Sequence, residues 1–229
     1  MMLSVDGILV HFAGTTALER VSLNARPGEC LGLIGPNGAG KTTLLNALSG
    51  LVRPEAGRIA LFGRPLTGLA PDRSAEAGVG RTFQSPRLFS RMTVEENVRS
   101  GRAVEVGPWL RWAGLEPRRD DMAGVLTPAE ARRLELARAL AARPDLLLLD
   151  EPCGGLSPAD TEAMVALLRD AAAPDRITIL VEHKLGVIRR LCDRAVVLHL
   201  GEKIFDGPAE ALRRDPRVIE AYLGAAPPR

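Results

Sequence analysis

Eight consecutive residues near the amino terminus have the types and spacing of a phosphate-binding loop. The sequence matches the pattern G-x-x-x-x-G-K-[ST] with Gly35, Pro36, Asn37, Gly38, Ala39, Gly40, Lys41 and Thr42. The glycines allow the backbone to curl, so that several N–H groups face one anion, and the positive end of a following helix adds to that attraction. The pattern predicts a site for a nucleoside triphosphate.

The residues on either side of this loop have the expected character. An apolar, strand-like run from Cys30 to Ile34 leads in, and a helix-like run that begins at Thr43 leads out. Lys41 supplies a point charge for the β- and γ-phosphates, and the hydroxyl of Thr42 can ligate Mg²⁺. These flanks disfavour the alternative of a glycine-rich turn that contains a lysine by chance.

A second segment ends in two adjacent carboxylates. Four leucines precede Asp150 and Glu151, a pattern typical of a fully buried strand. Side chains alternate on an extended chain, so one carboxylate is expected to hold Mg²⁺ and the other to polarise water. We assign the metal to Asp150 and the water to Glu151. The alternative, two acids at the solvated start of a loop, is less favoured beside a phosphate loop.

Two further polar residues follow predicted strands. Gln84 comes after the run Val79–Thr82, and His183 comes after Ile177–Val181. Ligands of open α/β sheets collect at the carboxyl ends of the strands. This position favours a γ-phosphate contact for His183 over a structural role, and it suits Gln84 to water or Mg²⁺. Gln84 alone would indicate nothing.

Composition and charge exclude several classes of protein. Of the 229 residues 46% are hydrophobic but only 3% aromatic, so an aliphatic core is expected. The net charge of +2 gives no electrostatic argument for nucleic acid. The sequence has no apolar run long enough to span a bilayer and no signal segment, so we expect a cytoplasmic protein that reaches a membrane only through a partner. The three cysteines have no metal-like spacing and are expected to be reduced and mostly buried.

Short aliphatic runs alternate with amphipathic ones, which predicts a mostly parallel sheet covered on both faces. The predicted parallel strands are Glu29–Ile34, Val79–Thr82, Leu146–Asp150, Ile177–Val181 and Arg194–His199, with an antiparallel patch at Leu3–Val10, Val21–Ala25 and Arg58–Phe62. Helices are predicted at Thr127–Ala141 and Pro158–Asp170. We expect one domain over 1–224, a helical subdomain at about 86–142, and a disordered tail at 225–229.

The order of these motifs resembles the ATP-binding cassette (ABC) family over essentially the whole chain. The more specific resemblance is to the cassettes of branched-chain amino-acid uptake systems and their urea and amide relatives. It rests on the runs Arg81–Gln84, Leu88–Phe89, Met92–Val98, Glu151–Pro158, Val181–Lys184 and Val218–Gly224.

The resemblance implies an α/β fold with a RecA-like P-loop NTPase core, an N-terminal antiparallel β patch and an inserted helical subdomain. It also implies hydrolysis of ATP with Mg²⁺ by two cassettes that close head to tail, on the inner face of the cell membrane. Permease subunits and, indirectly, a soluble solute-binding protein are the implied partners. Phe12 would stack on adenine, or else belong to the core. The segment Pro86–Phe89 would meet the permease, or else pack locally.

One motif departs from the family pattern. The family signature, usually Leu-Ser-Gly-Gly-Gln, is replaced here by Leu126, Thr127, Pro128, Ala129 and Glu130. In the family this segment grips the γ-phosphate of ATP held by the opposite subunit. Thr127 keeps a hydroxyl, but Pro128 removes an N–H and Glu130 adds a negative charge. Thr-Pro-Ala-Glu is also a helix capping box, whose carboxylate competes for the same N–H groups.

The departure predicts a weakened phosphate grip, unless the backbone adapts. The interval from Gln84 to Thr127 is also short for the family, which predicts a shortened helical subdomain. The sequence therefore indicates the ATPase subunit of an importer for branched-chain amino acids or a related small polar solute. The alternative is a soluble cassette with a regulatory or nucleotide-sensing role and slow hydrolysis.

Overall fold

A computed structural model describes residues 2–223 of the chain, and its strands form two sheets. The strands are β1 Leu3–Phe12, β2 Thr15–Ala25, β3 Cys30–Ile34, β4 Ala56–Leu61, β5 Arg64–Pro65, β6 Val79–Arg81, β7 Leu146–Asp150, β8 Ile177–Val181, β9 Arg194–His199 and β10 Glu202–Pro208. The helices are α1 Lys41–Leu48, α2 Pro71–Glu76, α3 Val94–Ser100, α4 Gly107–Trp112, α5 Pro128–Ala141, α6 Pro158–Asp170, α7 Leu185–Leu191 and α8 Pro216–Leu223.

The larger sheet has six strands in the order β10-β9-β3-β8-β7-β6. The five strands from β9 to β6 pair in parallel, and only β10 pairs antiparallel, at one edge. The predicted parallel strands are confirmed, with Glu29 and Thr82 just outside β3 and β6. Strand β10 was not predicted, because polar and small residues interrupt its apolar pattern and it needs only one buried face at the edge.

The smaller sheet is antiparallel and has the order β2-β1-β4-β5. The predicted patch is confirmed as a sheet of its own, and the hairpin of β1 and β2 extends further than predicted. Register shifts between Val5 and His11 bend β1 along this hairpin. Beyond these bends, the exposed polar residues of β1 and β2 do not alternate regularly with buried ones. The sequence pattern therefore missed the ends of both strands.

Both faces of the parallel sheet are covered, as predicted. In β7, Leu146 and Leu148 pack with α1 and the antiparallel sheet, while Leu147 and Leu149 pack with α5, α6 and α7. Helix α6 has the predicted bounds, and Met164 and Leu168 are buried on its sheet-facing side. Four consecutive leucines can all be buried because a parallel strand in this position has no solvent-facing side.

Helices α3, α4 and α5 enclose a separate hydrophobic cluster that includes Val98, Leu110 and Leu134. The cluster supports the expected helical subdomain at about 86–142, whose bounds remain a prediction. The capping box predicted at Thr127 is observed, with Pro128 in the first turn of α5. The expected tail at 225–229 lies outside the described residues.

In residues 2–223, all three cysteines are free, with Cys153 and Cys192 buried and Cys30 partly buried. Within the same part of the chain, the structure contains no helix with both the length and the apolar character needed to cross a bilayer.

Candidate active site

The phosphate-loop sequence connects β3 to α1 and leaves the start of that helix open. Three of its glycines have positive φ: Gly35 at 151°, Gly38 at 79° and Gly40 at 102°. Gly40 is the N-cap of α1, and a Cβ at this position would lie 2.5 Å from the carbonyl oxygen of Ala17 on β2. Since glycine has no side chain to cap the helix, the first N–H groups of α1 remain available to an anion.

Lys41 is buried at the base of the loop. Its Nζ donates to the carbonyl oxygens of Gly35 at 2.6 Å and Pro36 at 2.9 Å. Burial lowers the pKa of Lys41, while the nearby carboxylates of Glu151 and Asp150 oppose that shift. The loop therefore holds one cation that a phosphate oxygen could draw away from two neutral carbonyl groups.

Two adjoining cavities open beside the loop. One, of about 320 Å³, is lined by Ala17, Gln84, Glu151 and the loop residues Asn37, Gly38, Ala39, Gly40, Lys41, Thr42 and Thr43. The other, of about 430 Å³, is lined by Thr42 and Gln84 together with Arg81, Asp150 and the segment that follows Gln84. Thr42 and Gln84 line both cavities, so the structure brings most of the sequence-predicted residues to two neighbouring cavities.

The side chain of Glu151 meets both of the other predicted polar residues. Nε2 of Gln84 donates to its Oε2 at 3.1 Å, and Nε2 of His183 lies 2.5 Å from its Oε1. The carboxylate is mostly buried, whereas His183 is 42% exposed. Two residues that follow β6 and β8 therefore converge on the carboxylate that follows β7, and this carboxylate lines the cavity, where it can accept a proton from water.

A turn after β7 orients Glu151, whereas the sequence pattern predicted that alternation along the strand would orient it. Alternation along an extended strand was expected to separate the two carboxylates, but β7 ends at Asp150 and Glu151 has φ of +52°. This left-handed conformation is unusual for a residue with a side chain. The carbonyl oxygen of Glu151 accepts from Nη1 of Arg132 and from N of Gly154, both at 2.9 Å, which stabilises the turn.

A buried carboxylate fixes the loops around this turn. Oε1 of Glu182 accepts from the backbone N of Cys153 at 2.7 Å, and Oε2 accepts from that of His183 at 3.2 Å. Nζ of Lys184 donates to the carbonyl oxygen of Cys153 and to the hydroxyl of Thr161. The segment that carries His183 is therefore tied directly to the segment that follows Glu151.

Asp150 is fully buried beside Arg81, a residue that the sequence interpretation did not place in the site. Nη2 of Arg81 lies 3.5 Å from Oδ2 of Asp150, and Nη1 donates to the hydroxyl of Ser49 at 2.6 Å. Burial raises the pKa of Asp150, and Arg81 opposes the shift. Arg81 belongs to the run Arg81–Gln84 that carries the family resemblance, but only the pairing of β6 with β7 places it beside Asp150.

One oxygen of Asp150 fits a metal ion. Among the described residues, Oδ1 is buried and has no hydrogen-bond partner, which is costly unless something else satisfies it. Those residues contain no group of three or more acidic, histidine or cysteine side chains around a common point. Mg²⁺ does not need one, since it is commonly held by one or two protein oxygens together with phosphates and water. Asp150 and the hydroxyl of Thr42 suit that kind of site.

Two predicted residues lie apart from this space. Phe12 is about half exposed near the tip of the β1–β2 hairpin, and it is absent from the described lining of both cavities. Its stacking on adenine stays a prediction. Thr127 is the N-cap of α5 and likewise lines neither described cavity. A role for Thr127 toward a nucleotide would require a second cassette.

The start of α5 is occupied by its own carboxylate. Oε2 of Glu130 accepts from both N and Oγ1 of Thr127 at 2.9 Å, and Oε1 accepts from Nη1 of Arg118 at 3.0 Å. The backbone N–H of Thr127 lowers the pKa of Glu130 most, with Arg118 adding to the effect. The negative charge is thus paired with a cation, so repulsion of a phosphate is weaker than the sequence alone suggests.

Two family profiles match the chain. One described as "ABC transporter" matches residues 18–154, and one described as "Branched-chain amino acid ATP-binding cassette transporter" matches residues 202–227. The former spans the phosphate loop and both carboxylates of the β7 end.

Curated relatives and solved structures agree with these profiles. LivG of Salmonella typhimurium, a high-affinity branched-chain amino acid transport ATP-binding protein, is 37% identical over 251 positions, or 98% of each chain. BraF of Pseudomonas aeruginosa, which has the same description, is also 37% identical with the same coverage. The ADP conformation of MJ1267, an ATP-binding cassette of an ABC transporter, superposes with a TM-score of 0.88 at 26% identity and covers 98% of this chain and 99% of that one.

The alignment with LivG is longer than this chain, so LivG carries insertions that the chain lacks. The fold, the phosphate-loop sequence, the profile over more than half of the chain and the near-complete coverage by these relatives lead to one assignment. The chain belongs to the ABC transporter family of ATP-binding cassettes and is an ATPase.

Proposed function

We propose that this chain energises a membrane permease that imports branched-chain amino acids or a related small polar solute. The observation that carries the proposal is the match of residues 202–227 to the branched-chain amino acid cassette profile. Relatives with that described role cover 98% of the chain. The permease, a soluble solute-binding protein and a peripheral location on the inner face of the cell membrane are parts of the same proposal.

In the proposed mechanism the loop from Gly35 to Thr42 binds the phosphates of ATP, with Lys41 against the β- and γ-phosphates. Asp150 and the hydroxyl of Thr42 would hold Mg²⁺, which neutralises charge on the phosphates. Glu151 accepts a proton from the attacking water as the bond between that water and the γ-phosphorus forms and the bond to ADP breaks.

Gln84 and His183 orient this general base. Their contacts to the two oxygens of Glu151 fix its carboxylate, and His183 stands where a γ-phosphate oxygen could replace that contact. Arg132 contributes by holding the carbonyl group of the Glu151 turn.

A groove on the helical side of the chain supports a permease contact. A cavity of about 550 Å³ lies between the segment after Gln84 and the end of α5, and its lining includes Phe83, Leu88, Phe89 and Ala139. Phe89 is 52% exposed, whereas Leu88 packs partly against the cluster of the helical region. We propose that Phe89 contacts a permease segment and that Leu88 is mainly local packing.

The start of α5 is the part of this chain that would contact ATP bound by a second subunit. In a head-to-tail dimer of cassettes, ATP bound by one subunit would face Thr127, Pro128 and Glu130 of the other. The side chains of Thr127 and Glu130 already satisfy each other, and Pro128 has no N–H to offer. We propose that this face grips phosphate weakly and that the chain works best beside a different cassette with a regular signature.

The same observation favours a second candidate function. If the chain pairs only with itself, both composite sites contain the self-capped helix, and hydrolysis is slow. The protein would then be a soluble, nucleotide-sensing cassette rather than the motor of a transporter.

An uptake assay tests the import function. Deletion of the gene is expected to reduce the initial rate of leucine uptake in intact cells by at least about tenfold, and expression of the wild-type chain should restore it. Expression of Lys41→Ala should not restore uptake, because the phosphate loop then loses its cation. Unchanged uptake of leucine, isoleucine, valine, urea and short amides in the deletion strain would contradict the proposal.

The catalytic assignment predicts that Glu151→Gln retains ATP binding but lowers kcat by roughly 100-fold or more, because the amide cannot accept the proton. Lys41→Ala should instead weaken the binding of ATP itself. Both quantities can be measured with the partner subunits present. Glu162→Gln on the exposed face of α6 is the matched control and should leave both unchanged. Normal turnover by the Glu151→Gln protein would remove Glu151 from the mechanism.

The groove predicts that Phe89→Ser uncouples transport from hydrolysis while the isolated subunit still folds and binds ATP. Met122→Ser is the matched control, since Met122 is exposed to a similar extent in the same region but does not line the groove. The measurement is co-purification with the permease and uptake per ATP hydrolysed. Equal co-purification of both variants would place the permease contact elsewhere.

Restoration of the signature separates the two kinds of dimer. Thr127→Ser, Pro128→Gly, Ala129→Gly and Glu130→Gln together should raise ATPase activity substantially if the chain forms a homodimer. A heterodimer with one regular signature should gain at most about twofold, because one of two independent sites already works. The same activity before and after restoration, in both assemblies, would show that the existing segment grips phosphate adequately.

A further inference from the structure

A buried carboxylate on α5 has no role in the mechanism above. Glu135 is only 2% exposed, and among the described residues no basic nitrogen lies within 4 Å of it. Its neighbours in sequence, Leu134 and Leu136, are buried apolar side chains. Burial raises the pKa of Glu135. Such a position is unfavourable for a carboxylate unless strong hydrogen bonds compensate.

The compensating hydrogen bonds come from the backbone of a distant loop. Oε2 of Glu135 accepts from the N–H of Phe83 at 3.2 Å, and Oε1 accepts from the N–H of Arg87 at 2.8 Å. These two N–H groups flank Gln84, whose side chain contacts Glu151. One carboxylate therefore fixes both ends of the loop that carries Gln84.

Two other residues of α5 also form hydrogen bonds with backbone groups of the site. The guanidinium group of Arg138 donates to the carbonyl oxygen of Arg87, and Nη1 of Arg132 donates to that of Glu151. Helix α5 begins at the signature segment, so one rigid element connects the face offered to a second cassette with the Gln84 loop and with the Glu151 turn. Without these hydrogen bonds the Gln84 loop would be connected to the rest of the protein mainly through its two chain ends, and a shift of α5 would not displace it.

We propose that Glu135 is a positioning residue that makes the Gln84 loop move with α5, so that the place of the signature helix sets the contact between Gln84 and Glu151. The inference rests on the proposed roles of Gln84 and Glu151 in hydrolysis. Glu135 itself touches no reacting atom. It acts through the two backbone N–H groups that it accepts, and its chemistry requires an acceptor with two equivalent oxygens.

Amide hydrogen exchange, followed by NMR on the nucleotide-free chain, tests the contact without any catalysis. Glu135→Gln keeps the shape of the side chain but replaces one acceptor oxygen with an NH₂ group that faces a backbone N–H. The amide that then faces the NH₂ group, that of Phe83 or that of Arg87, should exchange roughly 10- to 100-fold faster, the range expected for loss of a hydrogen bond to a charged acceptor. The amides of β7 and β8 should be unchanged, and Glu162→Gln should alter none of these.

Steady-state kinetics of the assembled transporter supply the second readout. Glu135→Gln should lower kcat about tenfold and leave the KM for ATP within about twofold, because the phosphate loop is untouched while the general base loses its orientation. A purely structural role would instead reduce the folded fraction, with exchange rising throughout the core. Glu135→Asp keeps both oxygens and should recover part of the lost kcat.

Either of two results overturns the proposal: exchange at Phe83 and Arg87 that matches the wild-type chain, or faster exchange with an unchanged kcat. Should Glu135→Gln fail to fold, the same two measurements on Glu135→Asp decide, with slower turnover and faster exchange at one of the two amides expected. Normal turnover by Glu151→Gln would instead refute the catalytic assignment. The exchange experiment would still test the contact between Glu135 and the Gln84 loop, because it does not depend on catalysis.

Discussion

The left-handed turn at Glu151 is the constraint on which the rest of the site depends. A residue with a side chain in this conformation costs about 1–3 kcal/mol, so the surrounding structure has to hold it there. Its N–H donates to the carbonyl oxygen of Val181, and its own carbonyl oxygen accepts from Arg132 and Gly154. Because of this turn the carboxylate points at Gln84 and His183, while Asp150, one residue earlier, stays buried beside Arg81.

The charges of the site residues suit a polyanion and a divalent cation. Lys41 and Arg81 are both buried, and burial lowers the pKa of each, whereas burial raises that of Asp150. Each of these ions is only partly compensated by its protein neighbours, and Oδ1 of Asp150 is unsatisfied within residues 2–223. Phosphate groups for Lys41 and Mg²⁺ for Asp150 would relieve both costs together, which fits a site preorganised for ATP with Mg²⁺.

The sequence predicted well the features that depend on local pattern. The phosphate loop, the aliphatic strands and the capping box at Thr127 each need only neighbouring residues, and the structure places them within a residue or so. It predicted poorly the features that depend on long-range pairing. Arg81 joins the site because β6 lies beside β7, and Glu135 joins it because α5 packs against a loop about fifty residues earlier. The turn at Glu151 was misread for a related reason, since strand alternation says nothing about the residue after the strand.

The departure from the family signature lies at the start of α5, and the start of this helix makes different contacts from its later residues. At the start of α5, Glu130 accepts hydrogen bonds from Thr127 and Arg118, so fewer donors remain for a phosphate. Further along, Arg132, Glu135 and Arg138 commit the helix to the loops of the chain's own site. The first turn of α5 is thus capped by the chain's own side chains, while its later residues stabilise the loops of the chain's own ATP site.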